Sequence, residues 1–235
     1  MNTTLSVIIP TLNEAATITA VIGTIETCST TEILVVDGGS TDNTGELATL
    51  AGATVLHTPP GRAKQMNAGA DHATGHTLLF LHGDTLLPKG NHRLIEHTLQ
   101  MPGVSCGAFS LHIDSTRWSL QCIAAGANLR SKLFQLPYGD QGLFTTAETF
   151  QAVGGFPELP IMEDYYFVRG LGKKGKIITL PQTITTSSRR WDNMGIFKTT
   201  LINQLIIIGH MIGIPPARLA RLYQRAKGIN KNNHV

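Results

Sequence analysis

Two uninterrupted apolar runs, each followed by an aspartate, constrain the fold of this chain more than any other feature. Ile33-Leu34-Val35-Val36 leads directly into Asp37, and Leu78-Leu79-Phe80-Leu81 is followed by His82-Gly83-Asp84. Strands that are buried on both faces of a parallel sheet have this continuous apolar character. Because open α/β sheets bind ligands at the carboxyl ends of their strands, we expect Asp37 and Asp84 to lie at a ligand-binding edge.

Strand-like and helical segments alternate through about residue 100. Leu5–Ile9 is predicted to be a first strand that Pro10 ends, and apolar residues at three- and four-residue spacing from Ile18 to Ile25 mark one face of a helix. This alternation predicts an α/β fold with a mainly parallel sheet flanked by helices. The later pattern is irregular, so we expect one domain over 1–192, with a nucleotide-binding half over 1–100 and an acceptor half over 101–192.

Three further segments carry specific expectations. Arg117–Phe134 is predicted to be helical with an interruption at Gly126, and Ile177–Leu180 is predicted to be the last strand. Residues 193–235 are predicted to form a C-terminal extension of apolar and basic helices. The apolar part is too short and too polar for a comfortable membrane span. It either packs on the domain or on a second subunit, or lies on a membrane surface with the basic helix at the headgroups.

Composition excludes several classes of protein. Of 235 residues, 42% are hydrophobic and 15% are charged, which is typical of a globular chain. A formal net charge of +3 is too small to indicate nucleic-acid binding. Three scattered cysteines favour a reducing compartment over a disulfide framework. The N-terminus has no signal-peptide pattern, so we expect a cytoplasmic location, either free or peripheral at the inner face of the membrane.

Two polar segments follow the first two predicted strands, and each has two interpretations. Thr11-Leu12-Asn13-Glu14 matches a capping box, in which Thr11 and Glu14 cap a helix, and it also suits contact with a nucleobase or ribose. Asp37-Gly38-Gly39-Ser40 is either a tight turn or an acceptor for a base N–H or ribose hydroxyl. Neither a Gly-x-Gly-x-x-Gly after the first strand nor a P-loop is present, which argues against both of those nucleotide folds.

Acidic and basic side chains elsewhere suit phosphate chemistry. Asp84 is placed to hold a divalent cation that bridges two phosphates, whereas His82 is interpreted as a strand-end residue in preference to a ligand. Glu163-Asp164 opens a predicted helix, where acids favour the helix dipole, and a carboxylate there can also act as a general base. Arg62 and the run Arg189-Arg190-Trp191 are either surface charges or ligands of a diphosphate.

Taken in order, these segments resemble the inverting family 2 glycosyltransferases, which have the GT-A fold. The resemblance covers roughly the first 190 residues and is closest to a compact bacterial branch of the family. The matching segments are Val7 to Glu14, Val35 to Thr44, Gly61 to Gly69, His82-Gly83-Asp84, Tyr138 to Gly142, Gly154-Gly155-Phe156, Glu163-Asp164 and Arg190-Trp191.

The resemblance implies a role for each motif. It implies that a nucleotide-diphosphate sugar, with UDP as the first expectation by family frequency, is bound by Pro10, Thr11, Asn13, Glu14, Asp37, Gly39, Arg62, Gly83 and Asp84. It implies that Asp84 binds Mn²⁺ or Mg²⁺ on the diphosphate and that Asp164, with Glu163 beside it, deprotonates the acceptor hydroxyl. It places Asp140, Arg190 and Trp191 near the diphosphate and the acceptor.

The chain departs from the family pattern at two positions. His82 stands where the first acid of the Asp-x-Asp motif is expected, and Ser187 stands where processive synthases have a glutamine. We therefore expect a non-processive enzyme. Two rival functions remain, a sugar nucleotidyltransferase and a non-catalytic protein that binds nucleotide sugars. The first is disfavoured because Thr11-Leu12-Asn13-Glu14 is acidic and lacks glycine, and the second because Glu163-Asp164 is retained.

Overall fold

A computed structural model describes residues 5–27 and 30–226 of the chain. In the first part, strands and helices alternate as β1 (Leu5–Thr11), α1 (Ile18–Gly23), β2 (Thr31–Asp37), α2 (Thr44–Leu50), β3 (Thr54–His57), α3 (Arg62–His72) and β4 (Thr77–Phe80). The elements that follow are β5 (Thr85–Leu86), α4 (Asn91–Leu99), β6 (Val104–Asp114), α5 (Trp118–Phe134), a 3-10 turn at Gly139–Gln141, β7 (Leu143–Thr146), α6 (Ala147–Ala152), α7 (Glu163–Gly172), β8 (Lys176–Ser187), α8 (Arg189–Met194), α9 (Ile196–Met211) and α10 (Pro216–Ala226).

The described strands form an eight-stranded sheet in the order β3-β2-β1-β4-β7-β6-β8-β5. Strands β3, β2, β1 and β4 are mutually parallel, and so are β6 and β8. Strand β7 runs antiparallel to both β4 and β6, and β5 runs antiparallel to β8. The predicted α/β class with a mainly parallel sheet is confirmed.

Each face of the sheet carries its own apolar layer. Val7 and Ile9 of β1 face one cluster, which also includes α1 residues such as Val21, whereas Ile8 faces the other. This alternation follows from the two-residue period of a strand. The second layer contains a cluster of four phenylalanines. They come from β4, α6, the segment between α6 and α7, and α7, namely Phe80, Phe150, Phe156 and Phe167.

The first strand does not end at Pro10, contrary to the sequence prediction. Pro10 pairs in register with Val36, and β1 continues to Thr11. The Ile8 carbonyl accepts the N–H of Leu81, so the backbone groups of Ile8 point towards β4. The Thr11 carbonyl accepts the N–H of Gly38, so the backbone groups of Thr11 point towards β2. Pro10 therefore faces the β4 side, where the β1–β4 pairing has already ended at Ile8–Phe80. Its missing N–H costs no ladder bond there.

Two other predictions about the elements were also wrong. Strand β8 continues past Leu180 to Ser187 because a register shift lets Ser110 pair with Thr183, and this bulge absorbs Pro181. Helix α5 runs through Gly126 without interruption. The sequence pattern also missed helix α4 and the antiparallel strand β7, which is only four residues long and lies between the two parallel groups.

Helices α9 and α10 form a hairpin against the start of α7. Ile206 of α9 and Leu219 of α10 are buried with Met162, the residue before α7. Gly209 permits the close crossing, since a Cβ there would lie 2.7 Å from Leu219 Cδ2. Within the described residues, no helix combines the length and apolar character that crossing a membrane requires. Residues 227–235 of the predicted extension lie outside the described residues.

Candidate active site

The carboxyl ends of β1, β2 and β4 meet at one edge of the sheet. Thr11 is paired in register with Asp37, and the chain leaving β4 passes both the end of β1 and the loop after it at Gly83. A Cβ on Gly83 would lie 3.1 Å from Glu14 Cγ and 3.2 Å from Thr11 Cγ2, so only glycine allows this approach without displacing its neighbours. The predicted edge residues are thus brought together around Gly83.

A residue that was not singled out from the sequence, Gln65 of α3, ties two of these strand ends together. Its buried side-chain amide donates hydrogen bonds to the carbonyls of Thr11, at 2.9 Å, and Val36, at 2.8 Å. Both carbonyls lie at the carboxyl end of the β1–β2 hydrogen-bond ladder. The signal for Gln65 was its place in the Gly61 to Asn67 segment that carried part of the resemblance.

Asp37 is 5% exposed and its carboxylate is held by the turn that follows it. The backbone N–H of Ser40 donates to both oxygens at 3.1 Å, the Ser40 hydroxyl donates to Oδ1, and His57 Nδ1 lies 3.6 Å from Oδ2. Gly39 adopts a φ of +95°, which favours glycine. The tight-turn interpretation of this segment is confirmed, and the turn fixes the direction of the carboxylate.

Asn13 and Glu14 join the loop after β1 to the loop after β2. Asn13 has a φ of +58°, its N–H donates to the Ser40 hydroxyl at 2.9 Å, and its side-chain oxygen accepts the N–H of Thr41 at 2.8 Å. The N–H of Glu14 donates to the Thr44 hydroxyl at 2.8 Å. The two loops therefore form one rigid rim.

The capping-box interpretation of Thr11 and Glu14 is wrong. Helix α1 begins at Ile18, with Thr17 at its N-cap, so neither residue caps it. The Glu14 carboxylate instead forms an ion pair with Arg189, whose Nη2 also lies 3.6 Å from Asp84 Oδ2. The sequence indicated Arg189 only as part of a basic run. The structure places its guanidinium between the two acids.

Asp164 lies beside the end of β4, across the 3-10 turn. The N–H of Gly139 donates to Asp164 Oδ2 at 3.0 Å, and the N–H of Tyr165 donates to Oδ1 at 2.8 Å. A Cβ on Gly139 would lie 3.2 Å from His82 Nε2 and 3.5 Å from Asp164 Oδ2. The start of α7 and the segment His82-Gly83-Asp84 therefore converge on Gly139, although 78 residues of the chain lie between them.

Glu163 faces a different partner from its neighbour. It is 7% exposed, and the Arg62 guanidinium at the start of α3 lies 3.5 Å from its Oε1. Burial raises the pKa of Glu163, opposed by the positive charge of Arg62 and reinforced by the negative charge of Asp164. Glu163 thus fixes the position of the Arg62 guanidinium at the start of α3.

The loop around Asp140 is organised by side chains of α5. The Arg130 guanidinium stacks on the Tyr138 ring at 3.5 Å from its centroid, and burial is the main cause of a raised pKa of Tyr138. The buried Gln141 accepts the Ser131 hydroxyl at 2.6 Å and donates to the Phe109 carbonyl at 3.0 Å. Asp140 is half-buried within this turn, next to the Gly139 that contacts Asp164.

Trp191 and Arg190 are the two remaining residues of the predicted site. The Trp191 side chain is 7% exposed and packs in an apolar cluster with Leu111, Ile113 and Leu120. It therefore belongs to the layer between α5 and α8. The side chain of Arg190 lies outside those that the structure describes.

Asp84 suits a cation that substrate phosphates help to hold. Among residues 5–27 and 30–226, no group of three or more His, Cys, Asp or Glu side chains could hold a metal ion by itself. Mg²⁺ is usually bound through one or two carboxylates together with substrate phosphates, and both Mg²⁺ and Mn²⁺ prefer oxygen ligands. The Asp84 side chain is 26% exposed and offers such a carboxylate.

Comparison with known proteins agrees with this geometry. Residues 6–152 match the profile of Glycosyl transferase family 2. A PGL/p-HBAD biosynthesis glycosyltransferase from Mycobacterium bovis is 44% identical over 91 residues, which are 35% of this chain and 36% of the mycobacterial protein. The chain thus matches about a third of the length of that curated relative.

Two solved structures share the fold over most of the chain. A mannosyltransferase from Pyrobaculum calidifontis in complex with GDP-Man and Mn²⁺ aligns with a TM-score of 0.66 and 20% identity, over 99% of this chain and 71% of its own. Glucosyl-3-phosphoglycerate synthase from Mycobacterium tuberculosis with Mn²⁺ and UDP-glucose aligns with a TM-score of 0.60 and 19% identity, over 87% and 78%. The resemblance inferred from the motifs is confirmed: this chain belongs to glycosyl transferase family 2 and has the GT-A fold.

Proposed function

We propose that this protein transfers a sugar from a nucleotide-diphosphate sugar to an acceptor hydroxyl, with inversion at the anomeric carbon. One observation carries the proposal. The Asp164 carboxylate is held beside His82-Gly83-Asp84 across Gly139, so the carboxylate that we propose as the general base lies next to the edge that we propose for the diphosphate. The relatives and solved structures named above are glycosyltransferases or bind nucleotide sugars, which supports the assignment.

The nucleotide is assigned to the rim formed by the loops after β1 and β2. Thr11, Asn13, Glu14 and Asp37 lie on this rim, and hydrogen bonds fix the backbone of Asn13 and Glu14 and the carboxylate of Asp37. Preorganisation of this kind lowers the entropy cost of binding. We assign a UDP-sugar as donor, since UDP-glucose is bound by one of the similar structures, and GDP-sugars are the comparison to test.

The diphosphate is assigned to the space above Gly83. A divalent cation held by Asp84 and the phosphates would neutralise the charge that develops on the leaving diphosphate. Arg62 is assigned to the diphosphate as a second positive charge, and its ion pair with Glu163 orients it. Pro10 and Gly39 line the same edge through their backbone, at the ends of β1 and β2.

Proton transfer is assigned to Asp164. The acceptor oxygen forms a bond to the anomeric carbon while the bond from that carbon to the diphosphate oxygen breaks, and the hydroxyl proton passes to the Asp164 carboxylate. The bonding electrons leave with the nucleoside diphosphate. The hydrogen bonds from Gly139 and Tyr165 fix the direction of the carboxylate and leave lone pairs free to face the acceptor. Asp140 and the loop held by α5 are assigned to the acceptor.

Asp164→Asn tests the proposed base directly. The amide retains the shape of the side chain but cannot accept the proton, so we expect transfer to fall by at least about a hundredfold. Binding of UDP-sugar, measured by calorimetry with Mn²⁺, should stay within about twofold of the wild type because Asp164 faces the acceptor. Asp71→Asn, on an exposed residue of α3, is the matched control. Undiminished transfer by Asp164→Asn would refute the assignment.

The product that is released separates this function from its rivals. A glycosyltransferase releases a nucleoside diphosphate only when an acceptor or water takes the sugar. A nucleotidyltransferase would instead exchange inorganic pyrophosphate, and a non-catalytic binding protein would release nothing. Chromatography of UDP-sugar after incubation with and without candidate acceptors distinguishes the three. Transfer of a single sugar per encounter would support the non-processive assignment, which rests on Ser187.

We further propose that the outer face of the α9–α10 hairpin lies on an anionic membrane surface. This face presents a stripe of apolar side chains along α9 and at its C-cap, each more than half exposed: Leu201, Leu205, Ile208 and Ile212. Arg218, Arg221 and Arg225 are exposed on α10, and the sequence from Gly195 to Ala226 contains no acidic residue. An apolar stripe beside cations suits lipid headgroups, and it favours a peripheral location at the cytoplasmic face of a membrane.

A further inference from the structure

The guanidinium of Arg189 lies between the two acids that border the phosphate-binding edge. Its Nη2 forms an ion pair with Glu14 Oε2 and lies 3.6 Å from Asp84 Oδ2. The exposed fractions of the three side chains are 43%, 22% and 26%, so the two acids are more sheltered than the arginine that covers them. A cation contributed by the chain itself thus already contacts the carboxylate assigned to the metal.

The backbone holds Arg189 at this place through a short connection. The N–H of Ser187, two residues earlier, donates to the Asp84 carbonyl at 3.2 Å. The adjoining residues of the two segments also meet, since the Thr85 hydroxyl donates to the Thr186 hydroxyl at 3.1 Å and the two residues are paired between β5 and β8. The backbone of Arg189 therefore stays close to Asp84 even when the arginine side chain changes rotamer.

The charges at this point favour the observed pairing. The hydrogen bond to Glu14 is the main cause of a raised pKa of Arg189, and the charges of Glu14 and Asp84 act in the same direction. Thr17 supports the arrangement, since its hydroxyl donates to the Gly83 carbonyl at 2.7 Å and lies 3.0 Å from Glu14 Oε2. Two carboxylates and one guanidinium leave a single net negative charge at a place where a divalent cation would otherwise meet two.

We propose that Arg189 is an internal cation that occupies Asp84 in the ligand-free protein and competes with the divalent cation for it. The inference rests on the proposed role of Asp84 in holding the cation. A guanidinium and a metal ion repel each other, so they do not share one carboxylate at contact distance without a compensating anion. The donor diphosphate is such an anion, and its arrival lets Arg189 leave Asp84 and face the phosphates while the metal takes its place.

This arrangement predicts opposite effects on two ligands. Without Arg189 the cleft is more negative, so Mn²⁺ alone should bind more tightly and UDP alone should bind less tightly. A purely structural role of Arg189 would weaken both. The functional consequence is ordered loading, in which the metal enters with the donor because an unloaded site disfavours the free cation.

The decisive experiment measures Mn²⁺ binding without nucleotide, by the electron paramagnetic resonance signal of free Mn²⁺. We expect Arg189→Gln to bind Mn²⁺ several-fold more tightly than the wild type, and Asp84→Asn to bind it more weakly. Arg117→Gln is the matched control, since Arg117 is also an exposed arginine paired with an acid, Asp192, and it should match the wild type. Calorimetry with UDP and a chelator should show several-fold weaker binding by Arg189→Gln only.

The double variant Asp84→Asn/Arg189→Gln identifies the carboxylate involved. If Arg189 acts through Asp84, the double variant loses the gain in Mn²⁺ affinity. A gain that persists in the double variant overturns the inference, and so does Mn²⁺ affinity of Arg189→Gln at or below that of the wild type. Asp84→Asn that binds Mn²⁺ as well as the wild type would instead refute the metal assignment under the proposed function, so the two failures are distinguishable.

Discussion

Met162 has a left-handed backbone, with a φ of +67°, immediately before the two acids at the start of α7. A non-glycine residue in this region costs about 1–3 kcal/mol and persists only where its surroundings impose it. Here the surroundings are Ile206 and Leu219, which bury the Met162 side chain to 8% exposure. The strained residue lets the chain turn sharply, so that Glu163 and Asp164 open a helix while facing different partners.

The raised pKa of Glu163 makes a prediction about stability. Since the folded-state pKa lies above the ordinary value of 4.5, the folded protein binds this proton more tightly than the unfolded chain. The contribution of Glu163 to stability is therefore complete below pH 4.5 and is lost as the pH rises through the folded-state pKa. Glu163→Gln does not ionise, so its melting temperature relative to the wild type should increase from about pH 4 to about pH 8.

Differential scanning fluorimetry across this range provides the measurement. Glu46→Gln on α2 is the control, since Glu46 is exposed and its removal takes away the same charge without a buried site. A difference between Glu163→Gln and the wild type that stays flat or decreases with pH would contradict the assignment.

At the residue scale the sequence predicted the strand-end acids well. Asp37 and Asp84 follow apolar strands, so their place at the carboxyl edge follows from topology alone. Arg189 could not be chosen over Arg190, because neighbouring residues on a helix point in different directions and the start of α8 is fixed by where β8 ends. That end was missed, since Pro181 concealed a strand that continues through a bulge.

At the scale of elements, the 3-10 turn lies between His82, after β4, and Asp164, at the start of α7. Gly139→Ala tests its importance. The new Cβ would meet His82 Nε2 at 3.2 Å and Asp164 Oδ2 at 3.5 Å, so the first of these must move by a few tenths of an ångström. We expect kcat for sugar transfer to fall about tenfold, because small displacements of a catalytic group are costly. The melting temperature should change little.

Gly126→Ala in α5 is the matched control. A Cβ there has no neighbour within 4 Å, and alanine favours a helix interior by up to about 1 kcal/mol. It should leave kcat unchanged and raise the melting temperature slightly. Wild-type turnover by Gly139→Ala would show that the site tolerates displacement of this turn.

The elements themselves were predicted where apolar periodicity was strong. Strands β1, β2 and β4 have continuous apolar cores, and α1 has a clear three- and four-residue spacing. Strand β7 carries only four residues, Leu143–Thr146, and its pairing partners are distant in sequence. Such a strand is defined by its neighbours and not by its own pattern, which is why local analysis overlooked it.

At the scale of the whole molecule, the proposed membrane surface predicts binding to anionic vesicles. Co-sedimentation with vesicles that contain phosphatidylglycerol should recover most of the protein, and neutral phosphatidylcholine vesicles should recover little. Salt should weaken the binding, since surface charges are screened beyond about 10 Å at 0.1 M ionic strength.

The control separates lipid from protein partners. Replacing Arg218, Arg221 and Arg225 by glutamine should abolish the preference for anionic lipid without changing the melting temperature, because all three are exposed. Equal recovery of the wild type in the supernatant with and without anionic vesicles, together with a dimer in sedimentation analysis, would assign the stripe on α9 to a second subunit.

The pairing of β4 with β7 has a consequence for how substrates enter. Strands from residues 1–100 and from residues 101–192 are hydrogen-bonded into one continuous sheet, with Leu79 directly opposite Phe144. The two halves of the domain cannot separate without breaking the hydrogen bonds between β4 and β7. We therefore expect access to the proposed nucleotide site to depend on the connecting segments above the sheet edge, and nucleotide exchange to proceed while the sheet stays intact.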